Sequence, residues 1–180
     1  MKKSNETFTD PRDGKVYKII EIGGQVWFAE NLNFAAEGSV CYENDEANGD
    51  KYGRLYNWET ALKACPDGWR LPSDEEWSAL VDYAGGEETA GTKLKSTSGW
   101  NSYNGVSGNG TDEYGFSALP GGGGLSDGNF LTAGNFGFWW SATEYRFDDA
   151  FSRGIDFSIE YVYRIGNGKS NLFSVRCVKD

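Results

Sequence analysis

The chain has 180 residues, which is long enough for one domain with a sizeable core. Its formal net charge of −10 at pH 7 argues against nucleic acids and anionic membrane surfaces as partners, because both attract basic proteins. There is no histidine, which excludes Ser-His-Asp and Cys-His catalysis, and no apolar run approaches the roughly 20 residues of a membrane span. We predict one domain over residues 1–180 that does not insert into a membrane.

The first predicted element is a β-hairpin. Val16–Ile22 is rich in β-branched residues, and Gly23-Gly24 supplies the positive φ angles of a tight turn. Gln25–Leu32 returns as the second strand. The seven Trp, ten Tyr, eleven Phe and 25 Gly of the chain also favour a loop-rich domain with β-sheet over a helical bundle.

Polar residues 41–51 are predicted to form a loop, and a helix is predicted to follow at Asn57. The Asn57 side chain can accept a hydrogen bond from the first helical turn. Apolar side chains then recur at the spacing of one helix face: Trp58, Ala61, Leu62 and Cys65.

A second helix is predicted from Asp74. Ser73 and Glu76 lie three positions apart and form a capping box, in which each side chain accepts a backbone N–H of the other residue. The helix ends at Gly85-Gly86. Its apolar face consists of four residues: Trp77, Leu80, Val81 and Ala84.

Residues 85–135 show no clear element apart from a short apolar segment, Tyr114–Leu119, and a stretch of this length is either functional or poorly ordered. Strands are predicted to resume at 138–141, 150–157, 160–165 and 172–178. Trp139 and Trp140 lie side by side on the first of these. Neighbouring strand residues face opposite sides, so we expect one Trp in the core and the other partly exposed.

Three patterns suggest a cofactor, but each lacks a required feature. Gly121–Gly124 is not followed by the Lys-Ser or Lys-Thr of a phosphate loop, and the three cysteines lack the C-x-x-C spacing of zinc sites. Paired carboxylates could serve a glycosidase, but nothing in the sequence singles out one pair. Four acidic residues could offer oxygen ligands to calcium: Asp148, Asp149, Asp156 and Glu160. They lack calcium-loop spacing, so we interpret them as solvated carboxylates. We predict no metal and no cofactor.

From about Phe8 to Asp180, an ordered series of segments resembles the Fibrobacter succinogenes major paralogous domain, a family of bacterial secreted and surface proteins. The segments are Asp13–Tyr17, Trp27–Leu32, Tyr52–Trp58, Cys65–Trp77, Gly115–Gly122, Trp139–Glu144 and Ser174–Val178.

The resemblance implies an α+β, C-type-lectin-like fold, similar to retroelement-diversified variable proteins and formylglycine-generating enzymes. In such a fold two helices pack on a twisted antiparallel sheet with long irregular loops, and the chain ends lie together. The family also implies an extracellular or cell-surface location. The polar start of the sequence lacks the hydrophobic core of a signal peptide, which leaves open a removed signal or an intracellular protein.

The resemblance further implies a disulfide between Cys65 and Cys177, which match cysteine positions of the family. In the family pattern, the cysteine at the position of Cys41 usually has a partner cysteine shortly after it. In this chain Gly49 and Asp50 stand at that place instead. We therefore expect Cys41 to be free. A disulfide is typical of an oxidising compartment.

In the related retroelement-diversified proteins, the segment that corresponds to Tyr145–Ile165 meets the ligand. Ala150 and Val162 are expected to face the core, because a strand exposes every second residue. Arg and Tyr dominate many binding interfaces, so Arg153 and Tyr161 are the strongest candidates. The complete predicted contact set is Arg146, Phe147, Asp148, Asp149, Phe151, Arg153, Tyr161 and Tyr163.

The function predicted from these features is non-catalytic recognition of a protein or glycan outside the cell. One alternative is an enzyme of the formylglycine-generating type. Such enzymes rely on a pair of reactive cysteines in the C-terminal region, where this chain has only Cys177. The other alternative is a structural subunit of a surface appendage, and the oligomeric state stays open.

Overall fold

The computed structural model describes residues 6–180; residues 1–5, which include most of the polar start discussed above, lie outside the described part. The described part contains four α-helices: α1 (Glu46–Tyr52), α2 (Trp58–Ala64), α3 (Asp74–Tyr83) and α4 (Ala90–Leu94). A short 3-10 turn, Tyr42–Asn44, precedes α1. The combination of helices with largely antiparallel sheets confirms the α+β class.

Fourteen strands occur in the same part of the chain. They are β1 (Thr7–Thr9), β2 (Val16–Ile22), β3 (Gln25–Phe28), β4 (Leu55–Tyr56), β5 (Trp69–Arg70), β6 (Ser102–Tyr103), β7 (Val106–Ser107), β8 (Gly123–Gly124), β9 (Phe130–Leu131), β10 (Phe136–Arg146), β11 (Asp149–Asp156), β12 (Val162–Gly168), β13 (Phe173–Ser174) and β14 (Val178–Lys179).

Two five-stranded sheets form the framework, where one sheet was expected. Their strand orders are β1-β2-β3-β14-β5 and β12-β11-β10-β13-β4, and only the β10–β13 pairing in them is parallel. β2 and β3 form the predicted hairpin around Gly23-Gly24. β14 pairs with β3 through Val178 and Trp27, which brings the two ends of the chain into one sheet.

The two predicted helices are present and capped as expected. Asn57 Oδ1 accepts from the N–H of Thr60 at 2.9 Å at the start of α2. Ser73 and Glu76 form the complete capping box of α3. Leu62 was assigned wrongly to the buried face of α2, since its side chain is 37 % exposed and Ala64 is buried instead.

Two further helices were missed. α1 occupies most of the predicted loop 41–51, and its first turn is capped by the side chain of Asp45. α4 lies in the segment predicted to be irregular, which also contains β6 to β9. Gly91 of α4 donates its N–H to the carbonyl of Glu160 at 2.8 Å, and a Cβ at this position would collide with that oxygen. α4 is thus fixed by a tertiary contact rather than by a helical sequence pattern.

The core consists of two clusters of buried side chains that adjoin along shared strands. Trp139 packs with Trp77 of α3 in one cluster, and Trp140 packs with Phe173 in the other. Trp139 and Trp140 are 1 % and 0 % exposed, so the expectation that one of them reaches solvent is wrong. Both faces of β10 are covered, so adjacent residues of this strand are buried although their side chains point to opposite faces.

The predicted disulfide is present. Cys65, at the end of α2, and Cys177, just before β14, are joined by an S–S bond of 2.04 Å. The cysteines lie 112 positions apart, and closing such a loop contributes roughly 4–5 kcal/mol in the chain-entropy treatment. Cys41 is buried and free, as expected. Within residues 6–180, no helix has the length and apolar character needed to cross a membrane.

Candidate ligand-binding surface

The predicted contact segment, Tyr145–Ile165, forms the outer part of the second sheet. β10 and β11 make a hairpin whose turn holds Phe147 and Asp148, and β12 is the terminal strand beside them. The Phe147 side chain is 90 % exposed, an unusual position for a large apolar residue. Ala150 and Val162 are buried, which confirms their predicted orientation toward the core.

Four side chains form a stack next to this turn, with two aromatic rings between two guanidiniums. The Arg146 guanidinium lies 4.5 Å from the ring centre of Tyr145, that ring lies 4.9 Å from Phe151, and the Arg164 guanidinium lies 3.8 Å over Phe151. We call Arg146, Tyr145, Phe151 and Arg164 the ladder. Gly166 pairs with Phe151 across the sheet, and the Tyr145 ring lies so close to Gly166 that no Cβ fits there.

An acidic side chain below the ladder holds Arg164 in place. Asp74 Oδ2 accepts a hydrogen bond from Arg164 Nε at 2.8 Å and lies 2.7 Å from Arg164 Nη2. The other oxygen, Asp74 Oδ1, accepts a hydrogen bond from Arg153 Nη2 at 2.8 Å. The hydrogen bond to Asp74 raises the pKa of Arg164, while burial lowers the pKa of Arg153. One carboxylate therefore joins an exposed guanidinium to a buried one.

Arg153 does not reach the surface, so its expected orientation toward solvent is wrong. Its side chain is 1 % exposed and donates to Ser78 Oγ at 2.8 Å as well as to Asp74. Alternation alone predicted an outward side chain. The N-terminal end of α3 covers this part of β11 and buries it. Arg153 supports the ladder from below, because it shares Asp74 with Arg164.

Tyr161 and Tyr163 are half-buried beside this network. The Tyr161 hydroxyl donates to Glu87 Oε2 at 2.8 Å, and Glu87 Oε1 lies 3.8 Å from Arg153 Nη1. The hydrogen bond to Glu87 raises the pKa of Tyr161. The rings of Tyr161 and Tyr163 are 5.2 Å apart. The tyrosine pair and the ladder are thus connected through Glu87, Arg153 and Asp74.

Lys169, which follows β12, braces the hairpin turn itself. Lys169 donates its backbone N–H to the carbonyl of Asp148 at 2.9 Å and its Nζ to the carbonyl of Phe147 at 2.9 Å. Lys169 Nζ also bonds the carboxylate of Glu144. Asp149 is half-buried, with Oδ2 3.6 Å from Arg146 Nε, whereas Asp148 is exposed. These contacts hold the exposed Phe147 on a defined turn.

The acidic residues considered as calcium ligands are dispersed. Asp156 Oδ1 accepts from the backbone N–H and the hydroxyl of Ser158, both at 2.6 Å. Asp149 faces Arg146, as described above. Across residues 6–180, no three His, Cys, Asp or Glu side chains come together as metal ligands.

Five residues that build this surface were missed in the sequence. They are Tyr145, Arg164, Lys169, Asp74 and Glu87. Arg164 follows the core-facing Val162 by two positions, so strand alternation predicts that it is buried. It is half-exposed because the core ends between these two residues. Asp74 and Glu87 come from distant segments, and no local pattern links them to the surface.

The segments that carry the family resemblance occupy the framework around this surface. Residues 20–179 match the domain family described as the Fibrobacter succinogenes major domain. The chain belongs to this family. The matched range includes the whole ladder and both disulfide cysteines of this Fibrobacter succinogenes major domain. The chain shows no significant similarity to a curated protein or to a solved structure.

Proposed function

We propose that this chain is a non-catalytic recognition module that binds a protein or glycan ligand outside the cell. The observation that carries the proposal is Phe147, 90 % exposed at a braced turn next to the ladder. Aromatic and Arg side chains supply most of the binding energy in many interfaces. In this chain both types of side chain lie together at the outer strands of the second sheet.

The ladder supports this proposal because its side chains are already ordered. Each of its four members contacts the next, and Arg164 is also fixed by Asp74. Ordering flexible side chains on binding costs roughly 0.5–1.5 kcal/mol for each one. A surface that is stacked before the ligand arrives avoids much of this cost.

The charges of the surface indicate which partner groups it suits. Arg146 and Arg164 have side chains that are 66 % and 43 % exposed, on a chain whose net charge is −10. Their planar guanidiniums match carboxylate groups in a two-pronged geometry. A ligand that presents a carboxylate beside an apolar pocket for Phe147 fits this arrangement.

We also propose the finer fold assignment, a C-type-lectin-like fold. It is supported by the pairing of β14 with β3, which joins the chain ends, and by α2 and α3 packed beside the sheets. The disulfide that ties α2 to the C-terminal segment supports an oxidising, extracellular location.

The thiol chemistry of a formylglycine-generating enzyme finds little support. Cys177 is in the disulfide and fully buried. Burial raises the pKa of the Cys41 thiol, which disfavours the reactive thiolate.

An assembly role has one observation in its favour. β12 ends its sheet, and the N–H of Val162 donates to the carbonyl of Glu87 outside that sheet. Because outward groups alternate along an antiparallel strand, the N–H groups of Arg164 and Gly166 also point outward. Such an edge can accept a further strand. Light scattering after size-exclusion chromatography tests this role, and a monomer at every concentration contradicts it.

Two matched variants test recognition. The first changes Arg146, Phe147 and Arg164 to Ala, and the second changes Tyr103 and Val106 to Ala. The second pair lies on the separate β6–β7 hairpin and is likewise exposed, at 54 % and 70 %. A glycan array and a quantitative pull-down from the native community use the parent and both variants.

A ligand bound by the parent and the Tyr103/Val106 variant but lost by the Arg146/Phe147/Arg164 variant supports the proposal. Equal binding by all three proteins places the site elsewhere. The melting temperature of each variant shows that the difference does not come from unfolding.

A further inference from the structure

A cavity of about 280 Å3 lies on the other sheet and shares no residue with the ladder. Its walls are the start of β2, the chain that leaves β3 and the C-terminal half of α1, with Leu119 completing the lining. A single water takes up about 30 Å3 of liquid volume, so the space is far larger than one bridging water requires.

The walls of the cavity are fixed by a backbone approach that requires glycine. Gly53 ends α1 with φ +79°, and an added Cβ would lie 2.7 Å from the Cβ of Asn31. The Asn31 amide donates to the carbonyl of Tyr52 at 2.8 Å across the same junction. The end of α1 and the exit of β3 are therefore locked together, and the cavity between them has a defined shape.

Several polar groups at the lining retain hydrogen-bonding capacity. Tyr17 is 3 % exposed, and its hydroxyl oxygen accepts the N–H of Asn33 at 3.1 Å. Over residues 6–180 the structure gives the hydroxyl proton of Tyr17 no acceptor, and it gives the side chains of Asn33 and Asp50 no hydrogen bond. Lys51 contacts the Tyr52 ring at 4.5 Å through Nζ and forms no ion pair within this range.

The charges of the lining balance. Lys15 and Lys51 supply two cations, and Glu30 and Asp50 supply two carboxylates. A charged ligand gains no net attraction from such a set. A lining that holds both donors and acceptors instead suits hydroxyl groups, because each hydroxyl both donates and accepts.

We propose that this cavity binds a neutral polyhydroxylated molecule the size of one hexose ring. Asp50 and the Asn33 amide accept ligand hydroxyls, and Tyr17 and Lys51 donate to them. This site does not depend on the recognition function proposed for the ladder, since the two share no side chain.

The test is a titration of the isotope-labelled chain with D-glucose, D-galactose, D-mannose and N-acetyl-D-glucosamine, monitored by NMR. We expect saturable shifts of the backbone amides of Asn33, Asp50 and Gly53 with at least one of these sugars. A ligand with so few atoms binds with a Kd on the order of 1 mM. Glucuronate and glucosamine serve as charged probes of the same ring size.

A matched pair of substitutions localises the effect. Asp50→Ala removes an exposed carboxylate at the cavity and is expected to weaken sugar binding at least about tenfold. Asp148→Ala removes an exposed carboxylate at the turn between β10 and β11 and is expected to leave the Kd unchanged. Tyr17→Phe removes only the hydroxyl and is expected to act in the same direction as Asp50→Ala.

Three results overturn the proposal. They are the absence of saturable shifts with every neutral sugar, shifts confined to residues 145–165, and an unchanged Kd in Asp50→Ala. Binding of glucuronate or glucosamine more than about tenfold tighter than that of every neutral sugar contradicts the assigned ligand class.

Discussion

Two arginines of this chain are almost completely buried, and the groups that receive their hydrogen bonds differ in kind. Arg176 donates to Asn31 Oδ1 at 2.9 Å and to the carbonyl oxygens of Phe28 and Phe116, all of them neutral acceptors. Arg153 donates to the carboxylate of Asp74. Burial lowers the pKa of both guanidiniums, to about 9 for Arg176, whose acceptors named above are all neutral.

This difference separates a structural residue from one that is coupled to the surface. The acceptors of Arg176 lie in the core, so they connect segments of the framework to one another. The carboxylate below Arg153 also holds Arg164, and Glu87 nearby holds Tyr161. We expect changes at Arg176 to alter folding alone, and changes around Arg153 to alter both folding and the ladder.

The largest effect is expected for Arg176→Ala. The substitution removes the Arg176 donor from the carbonyls of Phe28 and Phe116, leaves Asn31 Oδ1 with Trp139 Nε1 as its donor, and opens a cavity at a fully buried position. Each unsatisfied buried group costs about 1–3 kcal/mol, so we expect a loss of about 3–5 kcal/mol in the free energy of unfolding. Urea denaturation measures it. Arg146→Ala, at an exposed arginine, is the control and should change stability by less than about 0.5 kcal/mol.

The second effect is expected for Asp74→Ala. It removes the carboxylate that compensates the buried Arg153, and breaking a buried ion pair costs about 3 kcal/mol. Glu75→Ala is the matched control, because it removes an exposed carboxylate from the same first turn of α3. If both variants unfold at the same urea concentration, the network does not stabilise the fold as we infer.

The features predicted correctly from the sequence are those fixed within a few residues. The capping box of Ser73 and Glu76 and the turn at Gly23-Gly24 depend on short spacing alone. The Cys65–Cys177 pair was inferred from the family resemblance, and the structure contains it.

The features that were missed depend on what packs against a segment from elsewhere in the chain. Trp140 is buried because α2 and β13 cover a face that alternation alone leaves open to solvent. Arg153 is buried under the start of α3, about eighty positions earlier in the sequence. Of the predicted contact set, Phe147 is the most exposed, and it lies at the turn rather than on an alternating strand.

A double-mutant cycle on Arg153 and Arg164 sharpens the comparison. Either arginine alone still pairs with Asp74, so each single Ala variant retains one partner for the carboxylate. The double variant leaves Asp74, with an 8 % exposed side chain, without either guanidinium. We expect it to lose roughly 2 kcal/mol more than the sum of the single losses. Additive losses would show that the two arginines act independently.

The smallest effect extends the comparison to a buried group that becomes an anion. Burial raises the pKa of Tyr17 to about 12, whereas an unfolded tyrosine titrates near 10. Between these two values the unfolded state has lost the proton and the folded state still holds it, so stability falls as pH rises. From pH 9 to about 11 we expect the parent to lose about 1 kcal/mol more than Tyr17→Phe. The comparison uses slopes, because the variant also loses the hydrogen bond from Asn33 at every pH. Parallel stability curves for the two proteins would mean that the Tyr17 hydroxyl ionises equally well in the folded and unfolded states. Burial without a compensating charge would then not shift the pKa of Tyr17 as it shifts the pKa of Arg176.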